Sequence, residues 1–208
     1  MQSLESILRE SAKRHKHLCP RQVLGARMSL LAAESLELDL PRADKRLLVI
    51  AETDGCTVDG IIAATGCHVG GRTLRIFDFG KVAATFIDIY TEKSIRILPR
   101  REARSIAVDR MPGARNDWQA MLTSYQVMPT SDLLLAQHVR LTLPLSQMIS
   151  RPSARTVCDI CEEEIINGRE ILDHDVVLCR ACAGEGYYHF VESFDRERRE
   201  TSPSDQYP

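Results

Sequence analysis

The chain has 208 residues and 23.4 kDa, is 44% hydrophobic and 27% charged, and carries 27 basic against 29 acidic side chains. That composition supplies an ordinary core for one domain or two modest ones and excludes a fibrous or disordered chain. A formal net charge of −2 gives no whole-molecule basis for gripping nucleic acid or an anionic membrane, and no apolar run approaches the ~20 residues of a spanning helix.

The opening, MQSLESILRESAKRHKH, sets Leu4, Ile7, Leu8 and Ala12 at helical spacing and lacks the apolar stretch of a secretory signal, so a cytoplasmic protein is expected. Proline favours the first position of a helix, which breaks the chain at Cys19 and starts a long helix at Pro20, running to Leu38 before Pro41. Arg46–Thr53 reads as a buried strand, and Val58, Ile61 and Ile62 share one face of a helix stopped by Gly66. Thr73–Phe79 and Val82–Tyr90 read as strands of a hairpin turning over Asp78–Lys81, with Ser94–Leu98 as a further strand. Residues 100–138 read as mostly helical, broken at Met111-Pro112-Gly113 and Met128-Pro129, and His138–Leu143 as an edge strand. Trp118 is expected in the core, and the basic run Arg96–Arg104 as a solvated face. The fold class is therefore α+β: a body over 1–150, a small module over 151–190 and a flexible tail over 191–208.

Seven cysteines, an odd number behind no signal stretch, argue against a disulfide framework and for thiols that bind metal or react. Four fall close together as Cys158-Asp-Ile-Cys161, seventeen residues, then Cys179-Arg-Ala-Cys182. This is the spacing of a structural zinc ribbon, since a tetrahedral Zn²⁺ takes four thiolates and each C-x2-C turn offers two. Iron in the same four-sulfur geometry is the other metal it suits. A module of ~35 residues is too small to be held by apolar burial alone, so the metal is expected to supply much of its folding energy. Glu164–Ile166 and Asn167–Arg169 fit a hairpin turn between the halves.

His15, His17, Cys19, Cys56, Cys67 and His68 concentrate in the body. An extended His15–Cys19 segment sets His15, His17 and Cys19 on one side. Cys19 and Cys56 both precede helices, where the dipole and free amides favour a thiolate. They are the candidate catalytic thiols and, with His17, candidate ligands of a second transition metal. A helix over 57–65 carries Cys67 ~13 Å from Cys56, too far to share one ion. The plain alternative for each cysteine is a small core hydrophobe.

Several ordered motifs resemble the FmdE-like family, which takes its name from formylmethanofuran dehydrogenase. They are His15-Lys-His17-Leu-Cys19-Pro20, Leu24-Gly25-x-Arg27-Met28, Asp54-Gly55-Cys56-x-Val58-Asp59, Thr65-Gly66-Cys67 and Asp78-x-Gly80-Lys81-x-Ala83. The resemblance implies an α+β core with a His/Cys pocket, homodimers and a zinc-binding C-terminal module. It assigns His17, Cys19, Cys56 and Cys67 to the pocket, with Asp59 and Lys81 as lesser members. Lys16 and Arg21 stand where the family usually has glycine, and His68 where it usually has threonine. The cysteine ribbon itself resembles zinc fingers of the DksA/TraR type, which implies contact with a protein rather than with DNA.

Two functions follow as expectations. One is a metal-binding protein, associated with an oxidoreductase of one-carbon metabolism, whose His/Cys pocket handles a metal or a one-carbon or cofactor-type ligand. The other is a non-enzymatic adaptor that docks a partner through the ribbon.

Overall fold

The computed structural model describes residues 2–149, 151, 153–189 and 191. The chain divides after residue 150 into two compact units.

In the first unit, α1 (Leu4–His15) begins where the Ser3 hydroxyl accepts from the Ser6 amide at 3.2 Å and ends at Lys16, whose φ is 63°. It therefore takes in His15, and the extended segment expected from His15 begins only after Lys16. Pro20 opens α2 (Pro20–Leu36), with Cys19 as its N-cap. Strand β1 (Leu47–Ala51) follows, then α3 (Thr57–Thr65), capped at Gly66 with φ 75°, and β2 (Leu74–Ile76).

The five-stranded sheet runs β2-β1-β3-β4-β5, with β3 at Ala84–Asp88, β4 at Ser94–Pro99 and β5 at Leu134–His138. Helix α3 is the crossover that makes β2 parallel to β1, in the register Val49 opposite Leu74; all other pairs are antiparallel. The expected β2–β3 hairpin is thus corrected. A turn does occur over Asp78–Gly80, but it carries the chain around the end of β1 to its other side. The amides of Phe77, Phe79 and Lys81 donate to Ala51 and Glu52 carbonyls on the way.

Every residue of β1 is buried because both faces of the sheet are covered. Val49 and Ala51 join Phe86, Ile95 and Ile97 in the main core beneath the helices, while Leu48, Ile50 and Ile87 meet Met148, Leu141 and Leu145 opposite. Phe86 is fully buried, so its truncation to alanine costs about 3–5 kcal/mol.

Two short helices, α4 (Ala103–Asp109) and α5 (Asp117–Val127), are separated by Pro112 and Gly113, with Asn116 capping α5 through the Gln119 amide at 2.9 Å. After α6 (Thr130–Leu133) the strand expected over 138–143 lies instead at 134–138, where Leu98 pairs with Leu135. Tertiary pairing overrides the local helical pattern there. Residues 139–143 then lead to α7 (Leu145–Met148), which covers the second sheet face.

The second unit is two hairpins, β6 (Arg155–Val157) with β7 (Glu164–Ile166) and β8 (Ile171–Asp173) with β9 (Val176–Leu178), then one wide helical turn at Ala181–Glu185. Asn167 and Gly168 join the hairpins rather than closing a single one. Apart from Val191, the tail expected over 191–208 lies outside the described residues. No helix among the described residues is long and apolar enough to cross a membrane.

Candidate metal centre and thiol pocket

Each hairpin of the second unit delivers one C-x2-C turn, Cys158–Cys161 after β6 and Cys179–Cys182 after β9. The sulfurs of all four cysteines lie within 4.8 Å of one another, and those of Cys161 and Cys179 are 3.9 Å apart. Sulfurs bound tetrahedrally at ~2.3 Å to zinc are separated by about 3.8 Å. The four cysteines can hold a metal ion. The backbone prepares them to do so: amides of Cys161 and Cys179 face the Cys158 sulfur, the latter at 3.2 Å, and bring its pKa down to about 6. Cys182 is pushed up to about 12, because its hydrogen bond to the Cys179 sulfur favours the thiol and burial adds to that. A cation at the centre removes this conflict by stabilising all four thiolates at once.

Only Cys158, Ile165 and Leu178 are buried among the described residues of this unit. Two buried aliphatic side chains are too few to order a module of this length by apolar burial alone, so a bound metal ion adds folding free energy that the core does not provide.

In the first unit, α2 and α3 bring their N-termini together, and the Cys19 and Cys56 thiols share a hydrogen bond. Cys19 is held by Gln22, a buried side chain whose Oε1 accepts from the Cys19 amide at 2.7 Å while its Nε2 donates to the Ser11 carbonyl at 3.2 Å. Gln22 thus ties α1 to the start of α2. The two thiols and His17 line one wall of a cavity of about 550 Å³, with Leu24 and Val82 beside them. The rest of the lining comes from Arg100, just after β4, from Arg104 on α4, and from Trp118, Met121 and Tyr125 on α5. Arg27 fixes the α5 part of that lining, donating to the Tyr125 and Met128 carbonyls, each at 2.9 Å.

Burial pushes the Cys19 thiol up, and the neighbouring Cys56 thiol adds to this; the Gln22 and Arg21 amides offset only part of it. The thiolate expected from the helix dipole is corrected accordingly, because desolvation outweighs the dipole where the residue is 6% exposed.

The remaining candidates lie elsewhere. Cys67 is a core thiol, 3.5 Å from the Leu47 carbonyl and raised in pKa by burial. With the exposed His68 it borders a separate cleft of about 330 Å³ near Pro41. Asp59 sits on the first turn of α3 and Lys81 on the loop beside Glu52, whose carboxylate Lys81 helps keep ionised; neither lines the cavity. The side chain of His15 lies outside the described residues. Among the described residues, the four ribbon cysteines are the one group of three or more His, Cys, Asp or Glu side chains gathered at metal-holding distance.

Two features of the cavity differ from expectation. Trp118 is 45% exposed and borders the cavity rather than the core. The run Arg96–Arg104 is not one solvated face: Arg96 grips the buried Glu52 through two bonds at 2.6 and 2.8 Å, while Arg100 and Arg104 face the cavity.

An α+β domain with a paired-thiol pocket, followed by a four-cysteine ribbon, defines the class. Residues 14–134 match the family described as FmdE, molybdenum formylmethanofuran dehydrogenase operon, and the chain belongs to that family. A probable S-adenosyl-L-methionine-binding protein of Archaeoglobus fulgidus is 33% identical over 102 residues, 48% of this chain and 28% of that protein. The chain thus matches well under a third of that relative's length. The crystal structure of a tungsten formylmethanofuran dehydrogenase FmdE-like protein from Syntrophus aciditrophicus superposes with a TM-score of 0.58. The superposition covers 90% of this chain and 96% of that one at 20% identity, a likeness of fold.

Proposed function

We propose that the protein is a zinc-carrying, small-molecule-binding member of its family, with one zinc in the ribbon and a one-carbon or cofactor-type ligand bound beside the Cys19–Cys56 pair. The observation that carries this reading is the convergence of two thiols from different helices, with His17, on one wall of a cavity of small-molecule size. Zinc fits the ribbon because its four ligands are all thiolates at tetrahedral spacing, which leaves no open position for chemistry at the metal. The pocket gathers two sulfurs and an imidazole without closing three donors on one point, so it works as a dithiol site, and a second metal there would need donors from the ligand. With its sulfur protonated at neutral pH, Cys19 acts as a hydrogen-bond donor and reserve nucleophile. Free thiols throughout the described residues support a reducing compartment such as the cytoplasm.

The test is uptake of phenylarsine oxide by the zinc-loaded protein; this reagent condenses with two neighbouring thiols to a dithioarsinite and water. One equivalent per chain, abolished by Cys56→Ser, is the expected result. No uptake contradicts a reachable thiol pair.

The adaptor reading keeps one observation in its favour: the ribbon module leaves Ile160, Leu172 and Tyr187 exposed, the last at 96%. Apolar side chains in water on a metal-closed module suit a docking surface. The same reading covers a homodimer, and sedimentation of wild type against Leu172→Asp distinguishes self-association from a different partner.

A further inference from the structure

The cavity beside the paired thiols has a charge pattern that its thiols do not account for. Arg21, Arg100 and Arg104 line it, and no Asp or Glu does. Arg104 reaches Asp117 at 3.5 Å, but both side chains are well over half exposed, so the pairing is weak. Among the described residues Arg21 and Arg100 are paired with no carboxylate. The N-terminus of the seventeen-residue α2 opens onto the same wall and adds its positive end. In a chain of net charge −2 this is a local concentration of positive charge inside a concave, partly apolar site, where field lines are focused and salt screens least.

Apolar and aromatic groups complete the lining. Leu24, Val82 and Met121 line it with apolar surface, and Trp118 and Tyr125 add aromatic rings to the same lining as the guanidinium groups. Planar, delocalised guanidinium groups bind carboxylate and phosphate oxygens in pairs, and aromatic faces take flat apolar bodies.

We propose that the pocket selects a small organic anion, one whose carboxylate or phosphate is held by Arg21, Arg100 and Arg104 while a flat apolar body lies against Trp118 and Tyr125. This rests on the reading of the cavity as a ligand site and names the class of ligand that enters it. It also decides against a cationic occupant. S-adenosyl-L-methionine, named for the Archaeoglobus relative, offers a carboxylate and a flat adenine to the same groups, but its sulfonium and ammonium leave it net positive beside three arginines, which counts against it.

A matched pair of fluorescent probes tests the charge directly: 8-anilinonaphthalene-1-sulfonate and N-phenyl-1-naphthylamine, which differ by the sulfonate. Trp118 is the one tryptophan of the chain and borders the cavity, so energy transfer from it is strongest for probe bound here, and loss of that signal in the arginine variant reports this site. Arg21→Gln with Arg100→Gln is expected to weaken the sulfonate probe about tenfold and to leave the neutral probe within about twofold. In the wild type, added salt weakens the sulfonate probe alone. Displacement by benzoate marks a carboxylate ligand, and displacement by inorganic phosphate a phosphate-bearing one. Unchanged sulfonate binding in the double variant, or equal weakening of both probes, overturns the proposal. Phenylarsine oxide uptake in the same variant separates the two failures: uptake retained with sulfonate binding unchanged removes only the anion preference, whereas uptake absent from the wild type removes the thiol pocket itself.

Discussion

Gly25 on α2 and Gly60 on α3 each face the other helix's backbone. A methyl group at Gly25 would run into the Thr57 carbonyl oxygen, and one at Gly60 into that of Gln22. The helices therefore pack closer than side chains ordinarily permit, and this approach brings the N-caps Cys19 and Cys56 into hydrogen-bonding contact. Alanine at either glycine must push the helices apart. The expected loss is about 3 kcal/mol in urea unfolding, accompanied by reduced phenylarsine oxide uptake. Stability lost with uptake unchanged means that the close crossing does not position the thiols.

Arg27 bears on the pocket only through the α5 wall that it holds. Its half-buried guanidinium meets only carbonyls and the Thr130 hydroxyl, at the C-terminal end of α5 where the helix dipole favours a cation. Arg27→Met leaves those carbonyls unpaired, and the loss is expected at about 2 kcal/mol. The Trp118 emission should shift to the red as α5 loosens. An unshifted spectrum would show that α5 is held by its own packing.

Asp88 and Arg46 form a two-bond ion pair at 2.7 and 2.9 Å with the carboxylate almost wholly buried, and Asp88 also accepts from the Tyr90 amide and the Thr91 hydroxyl. Chiefly through Arg46, the Asp88 pKa is held far below the ordinary carboxylate range. A depressed carboxylate contributes stability that is present above its unfolded pKa of ~3.9 and is lost as pH falls toward the folded value. Stability measured from pH 6 downward should decline below about pH 4. Asp88→Asn should be about 2 kcal/mol weaker at ~pH 6 and show a flatter decline. Parallel acid profiles would assign the decline to other carboxylates.

Cys19 has the opposite sign. Its pKa is raised, so whatever stability it links to pH is present below the ordinary thiol value of ~8.5 and is lost as pH rises through its own. Iodoacetamide labelling followed by peptide mass analysis should show Cys19 reacting only as the solution becomes alkaline. Labelling that saturates below about pH 8 would restore the activated thiolate.

The elements that could be read from the chain were those set by local chemistry. Pro20 and Gly66 mark helix ends, the unbroken LLVIA run marks a strand covered on both faces, and the two C-x2-C turns mark the ribbon. What escaped depends on long-range pairing. Nothing near Asp78–Gly80 says that the turn passes around β1, because that follows from the α3 crossover. Leu134–His138 is a strand only because β4 offers an open edge. At the site, the C-x-V-D and H-K-H-x-C motifs point to Cys19, Cys56 and His17. Arg100, Arg104, Trp118 and Tyr125 come from far along the chain and belong to no motif with them. Arg96–Arg104 was the one visible sign, and its arginines split between an ion pair and the cavity. The Cys19 pKa could not be read at all, since burial decides it.

We propose one metal per chain, held by Cys158, Cys161, Cys179 and Cys182, with Cys19 and Cys56 serving as a thiol pair. Elemental analysis of wild type, Cys158→Ser/Cys161→Ser and Cys19→Ser/Cys56→Ser addresses it most directly. About one zinc per chain is expected, lost in the first variant and kept in the second. Two metals per chain, falling to one when Cys19 and Cys56 are replaced, would contradict it.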